Sequence, residues 1–255
     1  MSIDVIVLLV AAGIAGGLVN AIAGGATLIT FPAMLAAGLP PIAANASNAV
    51  AVTPGHLVAA LADCSKWPPC DAAMAVAVAA AIVGGTLGAV LLLVTPERLF
   101  TLLVPVLVGL ATLIYAAAGA IQAGIVAVIG KSHRGDAVAR PALLGLTSVY
   151  GGYFGAGLGV MLLAVLSISG REDVRSANAL KNLLATAVSI TTLTIFTVQD
   201  IVRWRETLIM LAGAIAGGFI GGRLVKVLPA SLVRRIVIAI GTTMTLVYAW
   251  RIWLA

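Results

Sequence analysis

Two apolar parts of this chain carry polar side chains at helical spacing, and side chains of these types could bind a small anion. Amide and hydroxyl groups dominate both sets, with one ammonium group at Lys181 and one imidazole at His56. Spacings of three and four residues place several of them on one face of a helix. We therefore predict that two helices supply the side chains of a binding site, the candidates being Asn45, Asn48, Asn178, Lys181 and Asn182.

Two of these side chains allow a second interpretation. Lys181 follows a charged stretch, so its ammonium group either reaches a polar surface along its own methylene chain or lies deeper, where an anion is its natural partner. His56 follows Pro54-Gly55, a pair that favours a helix kink. Its imidazole either carries a proton or is a hydrogen-bonded core group, and the sequence leaves both interpretations open.

Two glycine-rich stretches could add backbone N–H donors to the same site. They span residues 20–27 and 151–159, with the candidates Asn20, Gly24, Gly25 and Thr27 in the first and Gly155, Gly157 and Gly159 in the second. Glycine tolerates positive φ, so each stretch predicts a broken or re-entrant helix. A helix N-terminus left at such a break binds anions through its dipole and its free N–H groups. The alternative is that these glycines only allow close helix packing, as we expect for Gly84, Gly88, Gly217 and Gly221.

The composition requires these elements to lie in a membrane. Hydrophobic residues make up 62% of the 255 residues and charged residues only 9%. A span needs roughly 20 apolar residues, and the charge-free runs provide about eight such segments. We therefore predict an all-helical polytopic membrane protein. The N-terminus lacks a basic region, which favours a first membrane segment over a cleaved signal.

The chain also repeats itself. Adding 133 to a position in the first half returns the same residue at many places, among them Asn45/Asn178, Gly84/Gly217, Gly88/Gly221, Pro96/Pro229 and Tyr115/Tyr248. This register predicts a first repeat over residues 1–121, a linker over 122–140 and a second repeat over 141–255, with a new helix at Pro141. Duplicated membrane chains commonly bind their substrate where the two repeats meet. The basic residues are nearly balanced between the loops, so charge does not fix the orientation of either repeat.

Several other kinds of site are disfavoured. All nine acidic residues fall at termini or in loops, whereas cation-coupled antiporters usually bury a carboxylate. Cys64 and Cys70 have no histidine nearby, which argues against a metal, and they are either bridged or free thiols. No catalytic constellation or cofactor motif is present. The basic residues are dispersed, which disfavours nucleic-acid binding. This pattern favours a small anion as cargo and the lipid bilayer as surroundings.

Several motifs together resemble the sulfite exporter TauE/SafE family. They are the opening GGLVNAIAGGATLITFP, its counterpart GGYFGAGLGVMLL, the segments GGTLGAVLL and GGFIGGRLV that each precede a proline, and the tryptophans that follow Lys66 and Arg203. The resemblance covers essentially the whole chain. It implies a secondary carrier in the bacterial inner membrane that moves sulfite or organosulfonates such as sulfoacetate, usually outward.

The resulting expectation is a transporter, not an enzyme, whose anion lies between the two glycine breaks while one repeat rocks against the other. A passive anion channel is the main alternative, because a missing coupling carboxylate fits it equally well. A membrane-embedded enzyme is the other alternative. Assembly as a homodimer is also left open.

Overall fold

The chain is all-helical. The computed structural model describes residues 1–22, 25–117, 120, 136–167, 174–224 and 229–254, and within these ranges it contains ten α-helices and no strand. The helices are α1 Ile3–Ile22, α2 Thr27–Ala36, α3 Pro41–Ala62, α4 Ala72–Val94, α5 Glu97–Ala116, α6 Asp136–Tyr153, α7 Leu158–Leu166, α8 Val174–Val198, α9 Trp204–Leu224 and α10 Ala230–Ala249. A 3₁₀ turn, Cys64–Lys66, follows α3, and a π-helical segment, Trp250–Leu254, follows α10.

Six of these helices are long and apolar enough to cross a membrane, namely α1, α4, α5, α8, α9 and α10 with its π-helical extension. They confirm a polytopic membrane protein. Helices α3 and α6 have 22 and 18 residues but carry more polar side chains. Helix α6 begins at Asp136, so Pro141 lies inside it and not at its start as expected. Residues 122–135 of the predicted linker lie outside the described part of the chain.

Local sequence explains where several helices begin. Pro41 is the first residue of α3, where a missing N–H group costs nothing. The Asp71 carboxylate accepts a hydrogen bond of 2.9 Å from Met74 N and so caps α4. Pro96 and Pro229, which occupy equivalent places in the 133-residue register, immediately precede α5 and α10.

Glycines let the most extensive helix pairs approach backbone to backbone. Helix α1 packs against α9 and helix α4 against α6. A Cβ added at Gly17 would overlap the backbone of Ala214 and Gly218, and one at Gly88 would overlap Val149 and Tyr153. The close-packing role predicted for Gly84, Gly88, Gly217 and Gly221 is therefore confirmed. In both pairs residue numbers rise together along the interface, so the paired helices run parallel.

Helices α3 and α8 cross at the centre of the molecule in opposite directions. His56 meets Ser189 near the middle of the interface, and Asp63 at the end of α3 meets Asn182 near the start of α8. Helices α5 and α10 are also antiparallel, because Gly109 lies against Thr245 and Gly241 against Thr112. The helices of the two halves correspond in order, α1 to α6, α2 to α7 and so on to α5 and α10. The main contacts recur under this correspondence: α1–α9 matches α6–α4, and α4–α8 matches α9–α3.

Candidate functional site

The first predicted helix break is present between α1 and α2. Helix α1 ends at Ile22 and α2 begins at Thr27. Gly25 has φ +94°, and a Cβ at this position would lie 3.0 Å from the Tyr115 ring. Both the conformation and the neighbouring ring therefore require glycine there. Gly24, the central candidate of this break, lies outside the described residues.

The second break is present between α6 and α7, and it is shorter than the stretch we expected. Helix α6 continues to Tyr153, and Gly155 and Gly157 both have φ +79° before α7 begins at Leu158. The Tyr150 hydroxyl donates to Ala156 O at 2.9 Å and so ties the break to the preceding helix. Gly159 is the second residue of α7 and has helical conformation, so it does not belong to the break itself.

A small cavity lies between these breaks at the crossing of α3 and α8. Its volume of about 30 Å³ has room for one or two water molecules. The first residues of both short helices, Thr27 of α2 and Leu158 of α7, line it. The described residues around it include no Asp, Glu, Lys or Arg; they are Thr27, Asn45, Asn48, Ala49, Val52, His56, Gly151, Gly152, Phe154, Gly155, Leu158, Val188, Ser189, Thr192 and Phe196.

The polar side chains of the cavity are fixed by neighbouring helices. Asn45 Nδ2 donates to Tyr153 O at 2.9 Å, which ties α3 to the end of α6. The Asn48 amide contacts the Thr30 hydroxyl of α2, and this hydroxyl also lies 3.0 Å from Ala26 O. Asn45 and Asn48 are 2% and 1% exposed. These contacts hold both amides at the edge of the cavity in defined orientations.

His56 and Ser189 join the two long helices across the cavity. His56 Nδ1 lies 2.8 Å from Ser189 Oγ. The two residues are 133 positions apart, so they occupy equivalent positions in the two halves. Ser189 was absent from the predicted site, although this register, applied to His56, would have identified it.

Three other predicted side chains, Asn178, Lys181 and Asn182, form a second polar group near the C-terminal end of α3. Lys181 Nζ donates to Asn178 Oδ1 at 2.8 Å, and Asn182 Nδ2 donates to Asp63 Oδ2 at 3.1 Å. Asp63 also accepts from Lys66 Nζ at 2.7 Å. These residues do not line the cavity. A Cβ at Gly159 would lie 3.8 Å from the Lys181 side chain, so this group adjoins α7.

The structure thus divides the predicted site. Five candidates line the cavity: Thr27, Asn45, Asn48, His56 and Gly155. Seven described candidates do not: Asn20, Gly25, Gly157, Gly159, Asn178, Lys181 and Asn182. Asn20 lies beside Gly55 of α3, and Gly157 lies near Ala111 of α5. Phe154 and Thr192 line the cavity but were not predicted, because an apolar ring and a hydroxyl in an apolar helix give no distinctive signal.

Metal ligation finds no support in the described part of the chain. No group of three or more His, Cys, Asp or Glu side chains is close enough there to bind a metal ion. Cys64 and Cys70 are both exposed and free, so the disulfide that the sequence left open is not formed.

Comparison with known proteins agrees with this architecture. Residues 9–248 match the family described as sulfite exporter TauE/SafE, and the chain belongs to that family. A probable membrane transporter protein of Haemophilus influenzae is 27% identical over 96% of this chain and 94% of its own length. The probable membrane transporter protein YfcA of Escherichia coli K12 is 27% identical over 90% of this chain and 84% of its own. No solved structure matches the chain.

Proposed function

We propose that this protein is a secondary carrier that exports small sulfur-containing anions, such as sulfite or an organosulfonate, across the bacterial inner membrane. One observation carries the proposal: the first residues of two short helices, Thr27 and Leu158, meet at a single cavity whose described lining includes amides and hydroxyls but no Asp, Glu, Lys or Arg. Both helix N-termini bring their positive dipole ends to this place, which favours an anion. The family description supports sulfite as cargo and export as direction.

The proposal includes eight membrane crossings in two repeats. Helices α3 and α6 would cross together with the six apolar helices, because each reaches at least 18 residues and packs between them. The helix contacts that recur between the two halves support duplication, with the repeats over residues 1–121 and 141–255. Since α3 and its counterpart α8 are antiparallel, we propose that the repeats are inverted about an axis through the His56–Ser189 contact.

This arrangement suggests how access alternates. The cavity lies on the interface between the two repeats, with one glycine break towards each end of α3. Rocking of one repeat against the other would open the cavity first on one side of the membrane and then on the other. The anion would be bound by the amides and hydroxyls around the cavity in both states.

Counterflow in proteoliposomes tests the proposal. Vesicles preloaded with unlabelled sulfite should accumulate radiolabelled sulfite transiently, at a rate that saturates with concentration. Preloading with chloride is the control and should give no accumulation. Non-saturating flux without counterflow would favour the channel, and no flux of any sulfur anion in folded protein would overturn the proposed cargo.

A further inference from the structure

Asn45 presents a fixed hydrogen-bond acceptor to the cavity. Its Nδ2 donates to Tyr153 O, the carbonyl of the last residue of α6, which has no partner within that helix. Rotating the amide by half a turn would place Asn45 Oδ1 against this carbonyl oxygen, and both acceptors would then lack a donor. The orientation is therefore determined by the end of α6, and it is the oxygen that remains available.

This oxygen accepts no hydrogen bond from any described residue. Asn45 Oδ1 is fully buried within a side chain that is only 2% exposed. Among the neighbouring polar groups, Asn48 Oδ1 accepts from the Thr30 hydroxyl and His56 Nδ1 contacts Ser189 Oγ. A buried acceptor without a donor is costly, so its presence at a binding cavity indicates that the ligand supplies the donor.

We infer that the anion bound here is a monoanion with a hydroxyl group, and that this hydroxyl donates to Asn45 Oδ1. The inference deepens the proposed function and rests on it. For sulfite it selects the hydrogen sulfite form, because the dianion has only acceptors and would place a negative oxygen against Oδ1. The positive N-termini of α2 and α7 then face the charged oxygens of the same ligand.

A pair of sulfonates distinguishes the contribution of the hydroxyl donor to binding from that of the negative charge. Hydroxymethanesulfonate and methanesulfonate are both singly charged, and they differ only by the hydroxyl group. Thermal shift of the purified full chain, over a concentration series at mildly acidic pH, gives a dissociation constant for each. We expect hydroxymethanesulfonate to bind roughly tenfold more tightly, the ratio that one well-made hydrogen bond supplies.

The two repeats provide a matched pair of variants. Asn45→Leu removes the free acceptor and should abolish the preference for the hydroxyl compound. Asn178→Leu alters the equivalent position of the second repeat, whose Oδ1 already accepts from Lys181, and should leave the ratio between the two ligands unchanged. Loss of the preference in both variants, or in neither, would overturn the role of Asn45.

The outcomes also separate this inference from the proposed function. Equal binding of both sulfonates by the unmodified protein would overturn the hydroxyl requirement while supporting an anion site. Absence of binding by either, in protein that melts cooperatively, would overturn the anion site itself. A shift with sodium ion alone, with equal binding of both sulfonates, would assign Asn45 Oδ1 to a cation.

A measurement without variants covers the case in which Asn45→Leu does not fold. The affinity of the unmodified protein for total sulfite should rise as pH falls and hydrogen sulfite replaces the dianion. Methanesulfonate keeps one charge throughout and reports any contribution from His56, the titratable side chain among the described residues that line the cavity. A parallel rise for both ligands would overturn selection of the protonated anion.

Discussion

The polar groups around Asn45 and Asn178 occupy equivalent places in the two halves of the chain, yet they differ in chemistry. Around Asn45 the side chains are neutral and buried, and Asn48 contacts a threonine. At the position equivalent to Asn48 the second half has Lys181, which bonds to Asn178 near the partly exposed Asp63. One helix framework therefore holds a closed neutral site at one place and a charged site near a surface loop at the other.

This difference suggests two roles. In the proposed mechanism the neutral cavity would release its anion readily, because no cation has to be separated from the anion. A charged group near a loop attracts anions from solution and raises their local concentration. The four predictions that follow test whether the halves share one framework and whether they diverge in this way.

The largest effect should come from the glycines that hold the shared framework. Gly221→Val on α9 should prevent folding, because its Cβ would lie 2.9 Å from the Leu18 backbone of α1. Overpacking costs about 1–3 kcal/mol or more, and backbone cannot yield as side chains do. The measurement is the fraction of monodisperse protein after detergent extraction. The adjacent Gly222→Val is the control, since nothing lies within 4 Å of that position, and equal loss in both variants would contradict the packing account.

A second comparison concerns the helix breaks. Gly157→Ala should abolish most transport, because φ +79° at the start of α7 strains any other residue by about 1–2 kcal/mol and reshapes the N-terminus beside the cavity. Gly38→Ala is the matched control: φ is +90° there, but the residue lies in the turn after α2 with nothing within 4 Å. Both variants should lose similar stability in thermal unfolding. Transport lost equally in both would mean that strain, and not the break, is responsible.

The third prediction concerns a variant that makes the polar group around Asn178 resemble the one around Asn45. Lys181→Asn gives the second half the residue that the first half has at Asn48. If Lys181 attracts anions towards the cavity, initial uptake should fall roughly threefold at low salt, and this difference should disappear at high salt. Equilibrium binding measured by thermal shift should change less than uptake. An equal loss of binding at every salt concentration would place Lys181 in the cavity instead.

The sequence predicted the framework better than the site. The membrane class, the all-helical fold and both breaks follow from composition and from glycines that no other residue replaces at positive φ. Which polar side chains meet does not follow, because Asn45 and Asn178 have the same spacing along their helices. Their partners, Tyr153 O and Lys181, depend on how α6 ends and how α3 crosses α8. That crossing is a tertiary property that periodicity alone does not contain.

The smallest effect should come from the hydrogen bond between His56 and Ser189, which joins equivalent positions of the two halves. His56→Asn and Ser189→Ala each remove the hydrogen bond between α3 and α8, and each should lower the free energy of unfolding by about 1 kcal/mol. The double variant should lose little more than either single one, because a double-mutant cycle measures the shared term. If the losses add, the 2.8 Å contact contributes no stability. His56 would then be retained for its chemistry in the cavity, which transport by the single variants would report independently of their stability.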